Sequence, residues 1–191
     1  MSQTEAPPDL PLVADRACGA CNVCCVALTI DDPVLQKPQG YRCRNTLPDK
    51  GCAIYATRPA ACRSFHCGWR HLKWVRETLR PDVSGVLVRL QRERVTPEQP
   101  HAMGVIFTLL DGRALKAEGL AESVAAAVGA GVPTYVHIPG PPGHTSSQAQ
   151  VNEALLHSVT MKDKAAILDI LRMARAQGRA GKHVAVTMKR P

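Results

Sequence analysis

Aromatic residues are scarce in this chain: two tryptophans, three tyrosines and two phenylalanines make up 4% of it. Base-stacking platforms are correspondingly few, and the basic residues are spread along the sequence instead of forming a stripe, so nucleic acid is an unlikely partner. Long apolar runs are missing too. The longest, such as Val124 to Val128, fall far short of a membrane span, and the Met-Ser-Gln-Thr-Glu start lacks the basic and apolar regions of a secretory signal. These absences lead to the expectation of a cytoplasmic protein with no membrane partner. No Ser/His/Asp triad, paired carboxylates or dinucleotide fingerprint can be picked out, and Gly140-Pro-Pro-Gly-His-Thr-Ser-Ser147 lacks the Gly-Lys-Ser/Thr ending of a phosphate cradle. That stretch is expected to be an ordinary exposed loop.

Cysteine is absent beyond Cys67, yet the chain has eight: Cys18, Cys21, Cys24, Cys25, Cys43, Cys52, Cys62 and Cys67. Thiols placed for packing would be scattered through a core. Thiols confined to one stretch point to one chemical task, and in a reducing compartment that task is metal ligation and not disulfide bonding. The spacing supports it. Cys18-Gly-Ala-Cys21-Asn-Val-Cys24-Cys25 places four sulfurs within one turn-rich segment, and a two-residue gap allows both flanking side chains to reach one metal, as in zinc knuckles and iron-sulfur loops. Adjacent Cys24 and Cys25 cannot easily face the same way, so one of them is expected to serve a second metal or another edge of a cluster. The formal net charge of +8 counts every thiol as neutral. Eight thiolates around two zinc ions would contribute −4 and leave +4, which removes half of the excess.

The order along the chain gives three parts. Residues 1–17, rich in proline, read as a flexible lead-in; 18–80 as a cysteine-cluster metal-binding region; and 81–191 as a cysteine-free α+β region. Within the second part, Val26 to Ile30 reads as a strand ended by Asp31-Asp32-Pro33. The two aspartates are expected to form a turn or a cap, with oxygen ligation as the rival. Residues 34–51 read as irregular, Pro59 as the first turn of a short helix, and 68–80 as a helix with Trp69, Leu72, Val75 and Leu79 on one face. His66 and His71 are further nitrogen donors, although eight sulfurs already fill two tetrahedral sites. Arg58 and Arg63, close in sequence to several thiols, are expected to tune them.

In the third part, 84–90, 104–110 and 133–138 read as strands, and Leu120, Val124 and Val128 mark a helix. Thr160 to Asp163 reads as a capping-box start to a helix with Ile167, Ile170, Leu171 and Ala174 inward, closed by Gly178. His183 to Arg190 fits either an edge strand or a basic tail. The expected fold class is therefore α+β: an irregular cysteine-rich metal-binding N-terminal part packed on a small mixed sheet with helices.

The C-x2-C-x2-C-C segment, together with Cys52-Ala-Ile-Tyr-Ala-Thr-Arg-Pro-Ala-Ala-Cys62-Arg-Ser-Phe-His-Cys67, resembles the YkgJ-type cysteine-cluster family of zinc- or iron-chelating domains. The resemblance covers residues 18–67, including Ile54-Tyr55, Arg58-Pro59 and Arg63, and departs at Asn22, where the family often has glycine. It implies that all eight cysteines are metal ligands and that the cofactor is an iron-sulfur cluster or zinc. A similar domain occurs in a flagellin lysine methylase, but no methyl-donor motif is present here and that activity is not carried over. Two functions follow as expectations. One is a cysteine-ligated metal-binding protein, redox-linked if the metal is iron and with room for a protein partner. The other is an enzyme whose small-molecule substrate lies between the metal domain and residues 81–191. Catalytic residues stay unassigned.

Overall fold

Val86, Val88 and Leu90 alternate with Leu87, Arg89 and Gln91, and a run with period two on both faces can bury both only if each face is covered. In the computed structural model, which describes residues 10–47, 50–97 and 101–188, that run is β5 (Val86–Arg92), an edge strand of a four-stranded mixed sheet. It pairs antiparallel with β6 (Met103–Leu109). β6 pairs parallel with β7 (Thr134–Ile138), and β7 antiparallel with β8 (Ser147–Gln150). The parallel step is bridged by α5 (Leu120–Gly129), and β8 leads into α6 (Asn152–Thr160) and α7 (Lys164–Ala180). One sheet face, made by Val86, Val88, Leu90, Val105, Phe107, Leu109, Val136 and Ile138, meets Leu120, Val124, Leu155, Ile167 and Leu171 in the main core. Burying one such side chain stabilises by about 1.5–3 kcal/mol.

The N-terminal part is built from short pieces. These are α1 (Cys24–Ala27), the hairpin of β1 (Ile30–Asp32) and β2 (Leu35–Lys37), the pair β3 (Thr46–Leu47) and β4 (Gly51–Cys52), then α2 (Ala60–Arg63), α3 (Gly68–His71) and α4 (Pro81–Ser84). The α+β class expected from the sequence is the class observed.

Several local expectations are corrected. Val26 to Ile30 is not a strand: its first residues close α1, Leu28 N donating to Cys24 O, and pairing begins only at Ile30. Residues 34–51 are less irregular than expected, holding β2, β3 and the start of β4. Pro59 is the N-cap of α2, one position before the first turn. No single helix spans 68–80. The chain breaks after His71 and forms a 3-10 turn at Glu77–Leu79, but Trp69, Val75 and Leu79 still enter the main core. Helix α7 is capped by Asp163, whose side chain accepts from Ala166 N at 3.0 Å, while Thr160 instead bonds back to Leu156 O within α6. Nor does Gly178 end α7, which runs on to Ala180. A Cβ at Gly178 would lie 2.7 Å from Ile138 Cγ1, so the residue is small because the helix crosses β7 there. Near the C-terminus, 184–186 is neither a full strand nor free: Thr145 N donates to Val184 O and Val186 N to Gly143 O. The remainder of the basic segment, from 189, lies outside the described residues.

Of the segment read as a flexible lead-in, residues 1–9 lie outside the described residues and the rest is tied down. Arg16, 7% exposed, donates to the carbonyls of Trp69 (2.6 Å), Leu72 (3.0 Å) and Val75 (2.7 Å), and its guanidinium lies 5.2 Å from the Trp69 ring centroid. Among the described residues no helix is long and apolar enough to cross a membrane.

Candidate metal centre

All eight cysteines line one cavity of about 90 Å³, whose apolar walls include Leu28, Ile30, Leu35, Ile54, Phe65 and Leu87. None is in a disulfide. Short elements deliver them. Cys21 N donates to Cys18 O in a tight turn, and Cys25 N to Asn22 O as α1 begins. Cys43 N donates to Cys25 O at 2.9 Å, fixing those two segments side by side, and Cys52 faces Thr46 across the β3–β4 ladder. Cys62 lies on α2, and Cys67 is the N-cap of α3.

The electrostatic neighbours of the thiols fall into two sets. Burial pushes the Cys67 thiol up to about 12, and its thiol neighbours are Cys18 and Cys21; burial likewise raises Cys21, beside Cys18. Burial also raises Cys62, whose thiol neighbours are Cys25, Cys43 and Cys52. Cys43 is buried with Ile30 and Leu35, and Cys25 and Cys62 pack on that small cluster. The adjacent pair stands between the sets. The Cys24 thiol donates to Cys25 and is raised well above its usual value, whereas that hydrogen bond lowers Cys25 to about 6, helped by the charges of Lys37 and Arg58. Cys24 also feels Cys21 and Cys18.

Lys37 is a charged neighbour of the thiols that cannot be picked out from the sequence. It is 6% exposed, and its ammonium donates to the carbonyls of Val26 (3.2 Å), Leu28 and Pro38 (3.1 Å). Burial lowers its pKa while the neighbouring thiols Cys43, Cys25, Cys24 and Cys62 oppose that shift. A lysine inside an apparently irregular stretch carries no sequence signal for such a role. Arg70, also missed, points Nη1 at Cys18 Sγ (3.7 Å). Arg80 Nη2 donates to Cys18 O (3.2 Å) and its Nε pairs with Asp82 (2.9 Å).

The two arginines singled out from sequence differ. Arg58 lines the cavity, stacked 3.8 Å over the Tyr55 ring with Nε on Tyr55 O at 2.9 Å. Arg63 is exposed and away from the cavity, donating to Arg58 O at 2.9 Å. It can reach the thiols only through the backbone of Arg58. Of the aspartates, Asp32 makes both a turn and a cap, accepting from Val34 N (3.1 Å) and from Ala61 N (3.2 Å) at a helix start that Pro59 cannot cap, whereas Asp31 accepts from Gln36 Nε2 (3.0 Å) across the β1–β2 hairpin. Of the histidines, His66 lines the cavity with Nδ1 buried and unpartnered, whereas His71 bonds Pro11 O at 3.3 Å from outside it.

Eight unpaired thiols on one cavity form a donor set suited to zinc or iron. Their present positions are looser than a ligated site: among the described residues, no three His, Cys, Asp or Glu side chains stand close enough together to hold an ion. Coordination would require the thiols to approach one another more closely than they now stand. Compared with protein-family models, with curated proteins and with solved structures, the chain matches none.

Proposed function

We propose that this is a cysteine-ligated metal-binding protein whose thiols act as two sets of four, Cys18, Cys21, Cys24 and Cys67 in one and Cys25, Cys43, Cys52 and Cys62 in the other. The observation that carries this reading is the lining of one cavity by every cysteine of the chain, with no disulfide among them. The resemblance to the YkgJ-type family adds to it. Lys37 and Arg58 beside the second set, and Arg70 and Arg80 beside the first, supply positive charge that offsets thiolates once metal displaces their protons. Zinc and an iron-sulfur cluster both suit four thiolates, and the cofactor class proposed is one of these two.

Metal analysis of Cys21→Ser, Cys62→Ser and the double variant tests the division. Each single change is expected to remove the metal of its own set, and the double change to remove both, with stability falling alongside because binding and folding are coupled. Metal per chain unchanged in both single variants overturns the reading. Brown, anaerobically purified protein would identify iron-sulfur, and colourless, zinc-loaded protein would identify zinc.

A further inference from the structure

The second face of the sheet carries a cluster of polar side chains beyond Leu87, which walls the thiol cavity. Antiparallel and parallel register place Leu87, Thr108, His137 and Gln148 in one row across all four strands, and Arg89, Ile106, Tyr135 and Gln150 in the next. Arg89 Nε donates to Thr108 Oγ1 at 3.2 Å, a contact that fixes the guanidinium plane. Its two terminal nitrogens have no partner among the described residues. No ion pair to Arg89 is present among the described residues, and burial lowers its pKa to about 10. Next to it, His137 has a buried Nδ1 without a partner and is held neutral by burial and by the Arg89 charge. Gln148 Nε2 donates to Gln91 Oε1 at 3.1 Å on the same face.

An unpaired, partly desolvated cation costs stability, and sheet positions of this kind are ordinarily filled by apolar residues. We infer that the Arg89 face binds the carboxylate group of a small molecule, with the two free guanidinium nitrogens making an end-on, two-point contact and His137 supplying a neutral hydrogen bond. One guanidinium matches one carboxylate in charge and in fork geometry, whereas a phosphate dianion would leave a charge unmet. Leu87 lies two residues from Arg89 on the same face, roughly 7 Å along the strand, and is itself a wall of the thiol cavity. The anion site itself needs no metal.

Titration of 15N-labelled full-length protein with acetate and with succinate, against sodium chloride at equal ionic strength and against inorganic phosphate, tests this. The amides of Thr108 and His137 should shift saturably with the carboxylates. Arg89→Gln should weaken binding about 10- to 100-fold, the worth of charge-assisted hydrogen bonds. Arg92→Gln, at the end of the same strand on the opposite face, should leave it unchanged. Arg89→Gln should also melt no lower than the parent, because it removes an unpaired cation. Absence of a saturable shift, equal binding by Arg89→Gln, or a shift with phosphate alone overturns the assignment. A lower melting point for Arg89→Gln without any carboxylate effect in the parent would make Arg89 a structural residue and overturn it too. Repeating the titration with a chelator separates this site from the cysteines: binding that survives is the arginine's, and binding that vanishes belongs to the metal and ends the proposal.

Discussion

At His137, burial and the nearby charge of Arg89 pull the imidazole from its ordinary 6.5 down to about 3. The unfolded chain therefore takes up a proton below about pH 6.5 that the folded protein refuses until about pH 3. Folding is disfavoured progressively as pH falls through that window, and the full stability is present above it, with a slope reaching about 1.4 kcal/mol per pH unit. His137→Gln should flatten this limb of the stability curve. Denaturant midpoints measured from pH 7 to pH 4 in parent and variant check it, and parallel curves would show that His137 protonates without hindrance. Residue identity was the most legible part of the site. All eight cysteines can be read from the sequence as one group, because confinement to one stretch needs no fold to be noticed. The two sets proposed for them could not be read, since Cys67 neighbours Cys18 and Cys21, and Cys25 neighbours Cys43, only through tertiary contact. Lys37 and Arg70 escaped for the same reason.

Among the elements, α3 couples the thiols to the sheet. A Cβ at Gly68, immediately after Cys67, would sit 2.6 Å from Val88 Cγ1 on β5. Gly68→Ala is expected to cost about 1–3 kcal/mol by overpacking. Gly112→Ala, where no atom lies within 4 Å, should stay within about 0.5 kcal/mol of the parent, and chemical denaturation distinguishes the two. Strands β5, β6 and β7 and helix α5 could be read in sequence because branched residues at period two, and Leu120, Val124 and Val128 at helical spacing, agree with the burial they achieve. Strand β8 is Ser-Gln-Ala-Gln on an exposed edge, and α6 buries little beyond Leu155 and Ser158, so neither carries an apolar pattern to detect. At Val26 to Ile30 a β-prone run lost to its context: the turn that aims Cys24 and Cys25 continues into α1.

For the whole molecule, the main core extends past residue 80 in both directions. Trp69, Val75 and Leu79 share it with the sheet and with α5 to α7, while Ile30, Leu35 and Cys43 form a separate small cluster. Three buried residues beside a set of thiols give that smaller part little to stand on without ligands. Chelation is expected to release amide protection over 18–67 first, with residues 69–79 following the sheet. Hydrogen exchange resolved along the chain checks this, and uniform loss of protection would mean a single cooperative unit.

The Arg16 clamp gives that smaller part a second consequence, one of chain statistics. Its bond to Trp69 O joins residues 53 apart in sequence, and these two anchor points bracket every cysteine. Closing a loop of that length costs about 3.5 kcal/mol of chain entropy. The clamp and the core behind it meet that cost within the fold itself, so thiols far apart in sequence are held at a raised effective concentration for one another. Under the proposed metal-binding function, Arg16 would raise metal affinity without lining the cavity, by shortening the search for the ligands and not by altering them.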